Sequence, residues 1–381
     1  MQKPELQRLK LGILLNSSPS WMGGIIYIIN IIKTLNFLDE DEKPEITLFY
    51  RHELRKFVNE LNYPYLEIIE WSFPSITKGY ITSWAFRKNV FISKILDNYS
   101  LDGIFPLLDY PVITRSKTKI VAWYADLQHE YYPEFFTKRK IIERTTRIKF
   151  MLRNTDDLVV SSRAVADDFA RFFRLRNDMK IHVFHFASVV DSLHEISIKD
   201  LKISYRLPDN YFLVSNQFYK HKNHKILLNA LSILKSKGVF IHLALTGKLP
   251  EDPRSSLTRE LKGTIKEYEL ENQISFLGVI PRIHQLMLMK YSQAVLQPSL
   301  FEGWSTVIED AKSLQVPVIA SNIQVNIEQL GDKGFIFDPN TPEDLAAILC
   351  NFPKRNLHDV FYEEYSDRVR KAAKVFIDIF S

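Results

Sequence analysis

The sequence is poor in cysteine, in glycine and in long apolar runs. Its single cysteine, Cys350, excludes an internal disulfide and a cysteine-rich zinc framework, and it favours a reducing cytoplasm. The most apolar stretch, residues 25–32, contains Asn30 and is far shorter than the roughly 20 residues that cross a bilayer. Residues 1–10 are polar and lack the apolar core of an export signal. We therefore expect a cytoplasmic chain without a membrane-spanning helix.

The composition that remains is that of a folded soluble protein. The 381 residues are 46% hydrophobic and 25% charged, with a formal net charge of +5. This charge is modest, and we expect no nucleic-acid partner. At roughly 100 to 200 residues per domain, the length predicts two domains.

Short β-branched runs alternate with helical patterns along the chain, which is typical of a parallel sheet covered on both faces. Residues 190–208 carry neither signal strongly, so we predict one domain over 1–190, a second over 191–358 and a final helix over 359–381. Ligands of such doubly wound sheets bind at the carboxyl ends of strands, and we expect a cleft between the domains. The predicted strands are 11–16, 46–50, 103–108, 119–126, 157–162 and 180–186, then 211–216, 241–247, 274–278, 294–299, 316–321 and 334–339.

The stretch FEGWSTVIED, residues 301–310, joins a predicted strand to a predicted helix. Free N–H groups at a helix start, aided by the helix dipole, can hold an anion without a metal. Thr306 and Glu309 also fit a capping box, so a purely structural Glu309 stays open. Glu302 is either a ligand-binding carboxylate or a solvated loop residue. The N–H groups expected to face an anion are those of Gly303, Trp304, Ser305 and Thr306.

Two further segments fit a phosphate-bearing ligand. The stretch NQFYKHKNHK, residues 216–225, places lysines and histidines between a strand and a helix, where a lysine suits a diphosphate and imidazoles can donate hydrogen bonds. A solvated basic turn is the alternative, and no carboxylate accompanies His221 and His224 to make a metal site. Gly23 and Gly24 open a helix and would let a ligand approach, but they form no G-x-G-x-x-G fingerprint, which argues against a nicotinamide or flavin cofactor.

Together these residues resemble the retaining, nucleotide-sugar-dependent glycosyltransferases of family 4, which have the GT-B fold. The resemblance implies an α/β chain of two Rossmann-like doubly wound domains facing each other across a cleft. It also implies that the final helix crosses back to the first domain. The segments that carry the resemblance are 298–322, 216–224, the Gly23-Gly24 loop, SSRAVADDFARFF (161–173) and FLGVIP (276–281).

The resemblance also implies roles for the site residues. Glu302 would face the donor hexose, and Glu309 would bind the ribose hydroxyls. Lys222 and the helix N-terminus would hold the diphosphate, with Gly23 and Gly24 beside the phosphates and the acceptor.

The chain departs from the family pattern in three places. Gln217 stands where an arginine is usual, so phosphate neutralisation would fall more heavily on Lys222, with help from His221 or Lys220. Six residues separate the two glutamates where seven are common, which makes the ribose role of Glu309 less secure. Ala125 precedes Asp126 where many members have histidine; His129 is either its replacement near the sugar or a structural residue.

The function implied by the resemblance is transfer of a hexose from a nucleoside-diphosphate sugar to a glycan or lipid-linked glycan, without metal or cofactor, in cell-surface polysaccharide or lipopolysaccharide synthesis. The alternatives are a non-hydrolysing sugar-nucleotide epimerase and, more remotely, a non-catalytic sugar-binding protein. The basic segment 138–153 predicts either an amphipathic helix on the anionic inner face of the membrane or a helix packed on its own domain.

Overall fold

The computed structural model describes residues 8–19, 21–190, 193, 196–249 and 256–381, with only the backbone of Ser256. Most of the polar N-terminus (residues 1–7) and the first residues of the expected second domain (191–192) lie outside the described residues. The chain divides into two compact units. Unit 1 comprises Met1–Ala187 and Ser366–Ser381, and unit 2 comprises Ser188–Tyr365.

Unit 1 is built on a parallel sheet with seven strands in its described part, in the order β3-β2-β1-β4-β5-β6-β7. The strands are β1 (Lys10–Leu15), β2 (Glu45–Tyr50), β3 (Leu66–Glu70), β4 (Gly103–Leu107), β5 (Lys119–Tyr124), β6 (Asp157–Val160) and β7 (Lys180–Val183). The helices are α1 (Met22–Thr34), α2 (Arg55–Val58), α3 (Ile76–Phe86), α4 (Ser93–Asn98), α5 (Gln128–Tyr131), α6 (Lys138–Asn154) and α7 (Arg163–Phe172).

Unit 2 repeats the plan with a parallel sheet of six described strands, in the order β10-β9-β8-β11-β12-β13. The strands are β8 (Phe212–Ser215), β9 (Leu243–Thr246), β10 (Ile274–Gly278), β11 (Val295–Gln297), β12 (Val318–Ser321) and β13 (Phe335–Phe337). The helices are α8 (Ile198–Ser204), α9 (His224–Ser236), α10 (Ser256–Glu267), α11 (Arg282–Lys290), α12 (Thr306–Ser313), α13 (Gln324–Leu330) and α14 (Pro342–Cys350), and they are followed by α15 (Tyr365–Asp378).

The α/β prediction of two doubly wound sheets is confirmed, and only β3 was not predicted among the described strands. Its sequence LEIIE carries two glutamates, and Ile68 points to solvent at the edge of the sheet. An edge strand that buries little apolar surface lacks the continuous apolar run by which the central strands are recognised.

The core of unit 2 follows the alternation of side chains along its strands. Val214 and Leu245 pack in one apolar cluster, with residues of α9 and α14. Their neighbours Leu213 and Ala244 pack in another, with residues of α11 and α12. Successive strand residues point to opposite faces, so the two clusters cover the two faces of one sheet and fix the strand register.

The last helix, α15, packs on unit 1. Phe376 lies 5.4 Å from Phe105 between ring centroids, and Lys374 Nζ lies 2.8 Å from Glu42 Oε1. Arg370 also pairs with Asp39. The final helix is thereby tied by apolar and ionic contacts to residues far earlier in the chain, and both ion pairs join residues more than 300 positions apart.

The basic segment forms the helix α6. Thr137 caps its first turn by accepting a hydrogen bond from the Lys140 N–H, and Ile148, Met151 and Leu152 are buried in unit 1. Its first turns contribute less to the core, because Ile142 is 66% exposed. No helix in the described part of the chain is long and apolar enough to cross a membrane.

Candidate active site

The candidate site of unit 2 lies where the strand order reverses. β8 and β11 are neighbours, but the chain continues from them toward opposite edges of the sheet. Such a reversal opens a crevice at the carboxyl ends of the two strands, where ligands bind. Residues 216–223, here the basic loop, follow β8, and residues 298–305, here the glutamate loop, follow β11. The two segments that the sequence pointed to therefore adjoin the same point of the sheet.

The basic loop is held in one conformation by its own backbone. Lys220–Lys222 forms a 3₁₀ turn, and Asn223 adopts a left-handed conformation (φ 51°, ψ 39°) that asparagine tolerates better than most residues. The Asn223 amide donates to the Pro339 carbonyl at 2.9 Å. The Leu300 N–H donates to the His221 carbonyl at 2.7 Å and so joins the basic loop to the glutamate loop.

The structure brings Lys222 and Glu302 into direct contact. Lys222 Nζ lies 2.5 Å from Glu302 Oε1, and both side chains are largely buried. Burial raises the pKa of Glu302, but the charge and hydrogen bond of Lys222 outweigh burial and hold the pKa below its usual value. The carboxylate is therefore ionised at neutral pH, and Glu302 is not the solvated loop residue that the sequence left open.

A buried amide network orients this carboxylate. Gln297, at the end of β11, donates from Nε2 to Glu302 Oε1 at 2.7 Å and to Ser299 Oγ at 3.2 Å. Asn216, just after β8, donates from Nδ2 to Gln297 Oε1 at 3.0 Å. Because Gln297 Oε1 accepts the hydrogen bond from Asn216, it is the Nε2 atom of Gln297 that faces Glu302. Sequence reasoning missed both amides, although each is polar and lies next to a strand end in an apolar setting.

The start of α12 differs from the capping box that the sequence allowed. Ser305, not Thr306, is the capping residue, since its hydroxyl accepts from the Ile308 N–H. Gln329 holds the same turn, because its Oε1 accepts from the Ser305 N–H at 3.0 Å and its Nε2 donates to the Ser305 carbonyl at 2.9 Å. Ser305 thus caps the helix and its N–H group is bound to Gln329, while a role of its hydroxyl as a donor to an anion stays a prediction.

Glu309 is buried one turn into α12. Its Oε1 accepts from Gln329 Nε2 at 2.9 Å and lies 3.2 Å from Lys312 Nζ. The capping-box role is wrong for Glu309, since the capping position is Ser305. Its role toward ribose stays a prediction, as do the roles of Gly303, which is buried, and of Trp304 and Thr306, which are half-buried.

The remaining predicted residues of the basic loop, and His224 at the start of α9, differ in how far they are buried. His224 is buried and stacks on Phe218 at 4.3 Å, and burial lowers its pKa to about 3. His221 stacks on Tyr219, and burial lowers its pKa to about 4, so it is neutral at pH 7 and can donate one hydrogen bond. Gln217 is exposed and accepts from the Lys248 N–H at 2.9 Å, which ties the loop after β9 to the basic loop.

The glycine pair predicted near the donor lies in unit 1, at the start of α1. A side chain at Gly24 would lie 2.6 Å from the Trp21 ring, whereas at Gly23 the nearest atom is 3.8 Å away. Trp21 stacks on Trp123 at 5.4 Å, and Trp123 stacks on Tyr27 at 4.3 Å. The space above Gly24, which the sequence assigned to a ligand, is therefore filled by the Trp21 ring in this structure.

Asp126 and His129 lie after β5, also in unit 1. Asp126 Oδ1 accepts from the Gln128 N–H at 3.0 Å at the start of α5. The His129 side chain is fully buried, packs against Phe136, and has its pKa lowered to about 4 by burial and by the nearby Arg144. A side chain without accessible surface contacts no substrate, so the structure favours the packing role that the sequence left open for His129.

A pocket of unit 1 opens at the carboxyl ends of β1, β4 and β5. Its empty volume, open mouth included, is about 380 Å³, and one of its walls is Asp109, whose Oδ1 lies 2.8 Å from Arg147 Nε. Asn16, Ser17 and Trp123 add polar groups to a wall that is otherwise apolar. This is the strand reversal of unit 1, where β1 neighbours β4. The sequence reasoning missed Asp109 because nothing near it in the chain signals a site.

Comparison with known proteins identifies the domain that carries the Lys222–Glu302 pair. A profile described as Glycosyl transferases group 1 matches residues 198–374. The putative glycosyltransferase EpsF of Bacillus subtilis is 32% identical over 106 residues, which are 28% of this chain and 26% of EpsF. The O-antigen chain mannosyltransferase RfbU of Salmonella typhimurium is 22% identical over 227 residues, 59% of this chain and 58% of that protein. The chain thus spans about a quarter of EpsF and somewhat over half of RfbU.

Solved structures match the fold over nearly the whole chain. Sucrose-phosphate synthase from Thermosynechococcus elongatus has a TM-score of 0.64 at 16% identity and covers 98% of this chain and 96% of its own. Anabaena HepE in complex with UDP-glucose has a TM-score of 0.61 at 17% identity, with the same coverage. The UDP-GlcNAc 2-epimerase from Methanocaldococcus jannaschii has a TM-score of 0.51 at 16% identity and covers 97% of this chain and 100% of its own. At these identities the likeness shows the fold alone, which is that of the GT-B proteins; the sequence match shows a domain of the group 1 glycosyl transferase type at residues 198–374, which are less than half of the chain.

Proposed function

We propose that the chain is a retaining glycosyltransferase that moves a hexose from a nucleoside-diphosphate sugar to a glycan or lipid-linked glycan of the cell surface. The observation that carries the proposal is the contact of Lys222 with Glu302 at the strand reversal of unit 2, inside the group 1 domain. Relatives named as O-antigen mannosyltransferases support the class of acceptor, and a fold shared with HepE, which binds UDP-glucose, supports the class of donor.

In this mechanism the diphosphate of the donor binds the Lys222 ammonium, which then no longer pairs with Glu302. The bond between the anomeric carbon and the phosphate oxygen breaks, so negative charge grows on the phosphate and positive character grows on the sugar. The Lys222 ammonium stabilises the first charge, and the Glu302 carboxylate, still held by Gln297, lies near the second. The acceptor hydroxyl attacks the anomeric carbon, its proton passes to the phosphate oxygen that leaves the sugar, and the nucleoside diphosphate departs.

The reaction proposed here needs no metal ion. The positive charge that a metal would place at the diphosphate is supplied by Lys222, at the carboxyl ends of the β8 and β11 strands. Neutral His221 adds a hydrogen-bond donor on the same loop.

A thermal-shift titration with UDP, GDP, ADP and dTDP in EDTA tests the site. A ligand that binds only the folded state raises the melting temperature. At a concentration 100 times its Kd, it adds about 2.7 kcal/mol to the free energy of unfolding. We expect one nucleotide to stabilise the wild type despite EDTA and to stabilise Lys222→Ala much less. The matched control is Lys225→Ala, since Lys225 lies on the first turn of α9 and pairs with Glu260 on the surface.

The outcome separates the proposed transferase from its alternatives. If a nucleotide stabilises the protein only with a divalent cation, the prediction of a metal-independent site is wrong. If none of the four nucleotides stabilises the protein, the prediction of a donor site is wrong. Once the base is known, the nucleotide sugar is followed by NMR without an acceptor. Conversion of the intact donor to its epimer would replace the transferase with the epimerase, whereas binding without turnover in the presence of a glycan acceptor extract would favour a sugar-binding protein.

A further inference from the structure

Helix α3 of unit 1 carries apolar side chains on its outward side as well as on its packed side. Gly79, Tyr80 and Ser83 face the interior. On the helical wheel, the opposite arc runs through Trp84, Thr77, Ile81, Ala85, Lys78, Thr82 and Phe86, and all of these except Thr82 are exposed. Ile81 is 60% exposed and Phe86 is 75% exposed. Large apolar side chains thus stand among polar ones on the outward arc, where a helix that packs on one side only is usually polar.

The chain around α3 is positively charged. Between Glu70 and Asp97 there is no acidic residue, and the basic residues are Lys78, Arg87, Lys88 and Lys94. Lys88 is paired, with its Nζ 2.8 Å from Asp97 Oδ2. The outward arc of α3 thus carries large apolar side chains beside basic ones, and Asp97 balances the charge of Lys88 alone.

Two neighbouring segments also expose apolar and basic side chains. Trp84 donates from Nε1 to the Pro111 carbonyl at 3.1 Å and packs on Phe150 of α6 with ring centroids 5.7 Å apart. The loop that begins at Pro111 exposes Ile113, Arg115 and Lys117. The first turns of α6 expose Ile142 and the basic residues 138–140, roughly 12 to 18 Å along the helix from Phe150.

We propose that this region docks on an anionic lipid bilayer. It is named here the α3 surface, and it comprises the exposed apolar residues Ile81, Trp84, Phe86, Ile113 and Ile142 with the basic residues around them. Exposed aliphatic and aromatic side chains enter the boundary between headgroups and acyl chains, and lysines and arginines around them bind anionic headgroups. The described helices include none that spans a membrane, so the attachment is peripheral and reversible.

The sequence left open whether α6 contacts the membrane or packs on its own domain, and the structure favours packing for the second half of the helix. The apolar residues of the second half of that helix, Ile148, Met151 and Leu152, are buried in unit 1 and are not available to lipid. The most exposed aromatic residue of the region, Phe86, lies on α3 instead. In this arrangement α6 supplies mainly charge, and α3 supplies most of the apolar surface.

Charge favours a bilayer over a second copy of the chain as the partner of the α3 surface. A two-fold symmetric contact places the same patch against itself, so the basic residues that border α3 would face their own counterparts. Like charges across an interface oppose association, whereas an anionic bilayer offers opposite charge and an apolar interior together.

Vesicle sedimentation tests the proposal with matched variants. The vesicles contain phosphatidylcholine alone or mixed with phosphatidylglycerol, and the full chain is compared with Phe86→Ser and Phe240→Ser. Phe240 is 72% exposed in unit 2, so the two substitutions remove the same side chain from similar exposure on different surfaces. A second pair compares Arg115→Glu/Lys117→Glu with Lys262→Glu/Lys266→Glu, all at exposed positions.

We expect binding to vesicles with phosphatidylglycerol that weakens as salt is added. Phe86→Ser should lower the partition coefficient about tenfold, from the apolar area of one phenylalanine, while Phe240→Ser should leave it unchanged. The Arg115/Lys117 variant should lose the preference for anionic lipid, and the Lys262/Lys266 variant should keep it. Unchanged melting temperatures of all variants would establish that each is folded.

Two results would overturn the proposal. One is a wild type that does not sediment with anionic vesicles, and the other is equal weakening by Phe86→Ser and Phe240→Ser. A dimer in analytical ultracentrifugation that Phe86→Ser dissociates, without vesicle binding, would assign the α3 surface to a second copy instead. Lys222→Ala should bind vesicles like the wild type, so the membrane contact and the proposed donor site succeed or fail separately.

Discussion

Replacing Gln297 with leucine tests how Glu302 is held in the proposed reaction. The Gln297 side chain is fully buried, and its amide makes three hydrogen bonds: to Glu302 at 2.7 Å, to Ser299 at 3.2 Å and from Asn216 at 3.0 Å. Leucine fills a similar volume without a polar atom. The substitution therefore removes one charge-assisted donor from the carboxylate and leaves the Asn216 amide without its acceptor.

The structure gives the size of the effect on stability. A buried donor without an acceptor and a lost hydrogen bond to a charged group each cost about 1 to 3 kcal/mol, so the free energy of unfolding should fall by about 2 to 6 kcal/mol. For a unit of this size that corresponds to a melting temperature about 4 to 24 °C lower. Gln293→Leu is the control, because Gln293 also makes two side-chain hydrogen bonds but none to Glu302, and its side chain is partly accessible.

The effect on activity separates positioning from packing. With Lys222 drawn to the diphosphate, Glu302 depends on Gln297 and Ser299, so the loss of Gln297 should lower kcat by about 10- to 100-fold. The acid limb of the pH profile should move to higher pH, since a carboxylate that loses a donor has a higher pKa. Gln297→Glu should regain activity at low pH, where the new carboxyl can donate to Glu302. An unchanged kcat and acid limb in a less stable Gln297→Leu variant would refute the reasoning.

Two further substitutions test packing around the predicted site residues. Burial lowers the pKa of His224 to about 3. Below about pH 6.5 the unfolded chain therefore binds a proton that the folded chain does not. The free energy of unfolding then falls with pH, by up to about 1.4 kcal/mol per pH unit. His224→Phe, which preserves stacking on Phe218, should therefore lose less stability than the wild type between about pH 7 and about pH 5 in urea unfolding; equal losses would contradict the assignment. Gly24→Ala should displace Trp21 and change tryptophan emission and near-ultraviolet circular dichroism, whereas Gly23→Ala, with open space around it, should leave both unchanged and gain up to about 1 kcal/mol of helix stability. The same spectra for both alanine variants would show that Trp21 does not depend on Gly24.

The sequence predicted the sheets because their central strands are continuous apolar runs, and it predicted the site loops because they follow β8 and β11. What it could not predict depends on contacts between distant residues. Gln329 holds the start of α12 from 24 residues away, so the cap falls on Ser305 although Thr306 has the capping-box spacing. The residues that flank His129 in the sequence do not reveal whether its side chain faces a ligand or the core.

Tertiary packing also decided the meaning of the glycine pair. A double glycine at a helix start permits a ligand to approach the backbone, but it equally permits a ring from the same chain to lie there. The Trp21 ring takes that position over Gly24, and its stacking on Trp123 of β5 connects two segments about 100 residues apart. No local pattern distinguishes these two uses of glycine, because Trp21 is a neighbour of Gly24 in the chain but its ring is held there by the distant Trp123.

The ion pair of Lys222 and Glu302 accounts for how the site stays folded while it buries both charges. A buried carboxylate without a counter-charge costs several kcal/mol, and Lys222 offsets that cost at 2.5 Å. A diphosphate carries more negative charge than one carboxylate and competes for the same ammonium. In the proposed reaction, donor binding therefore leaves Glu302 without its cation, so that positive character developing at the anomeric carbon becomes the favourable partner of the carboxylate. The amide of Gln297 permits this exchange, because it keeps Glu302 in place when Lys222 moves.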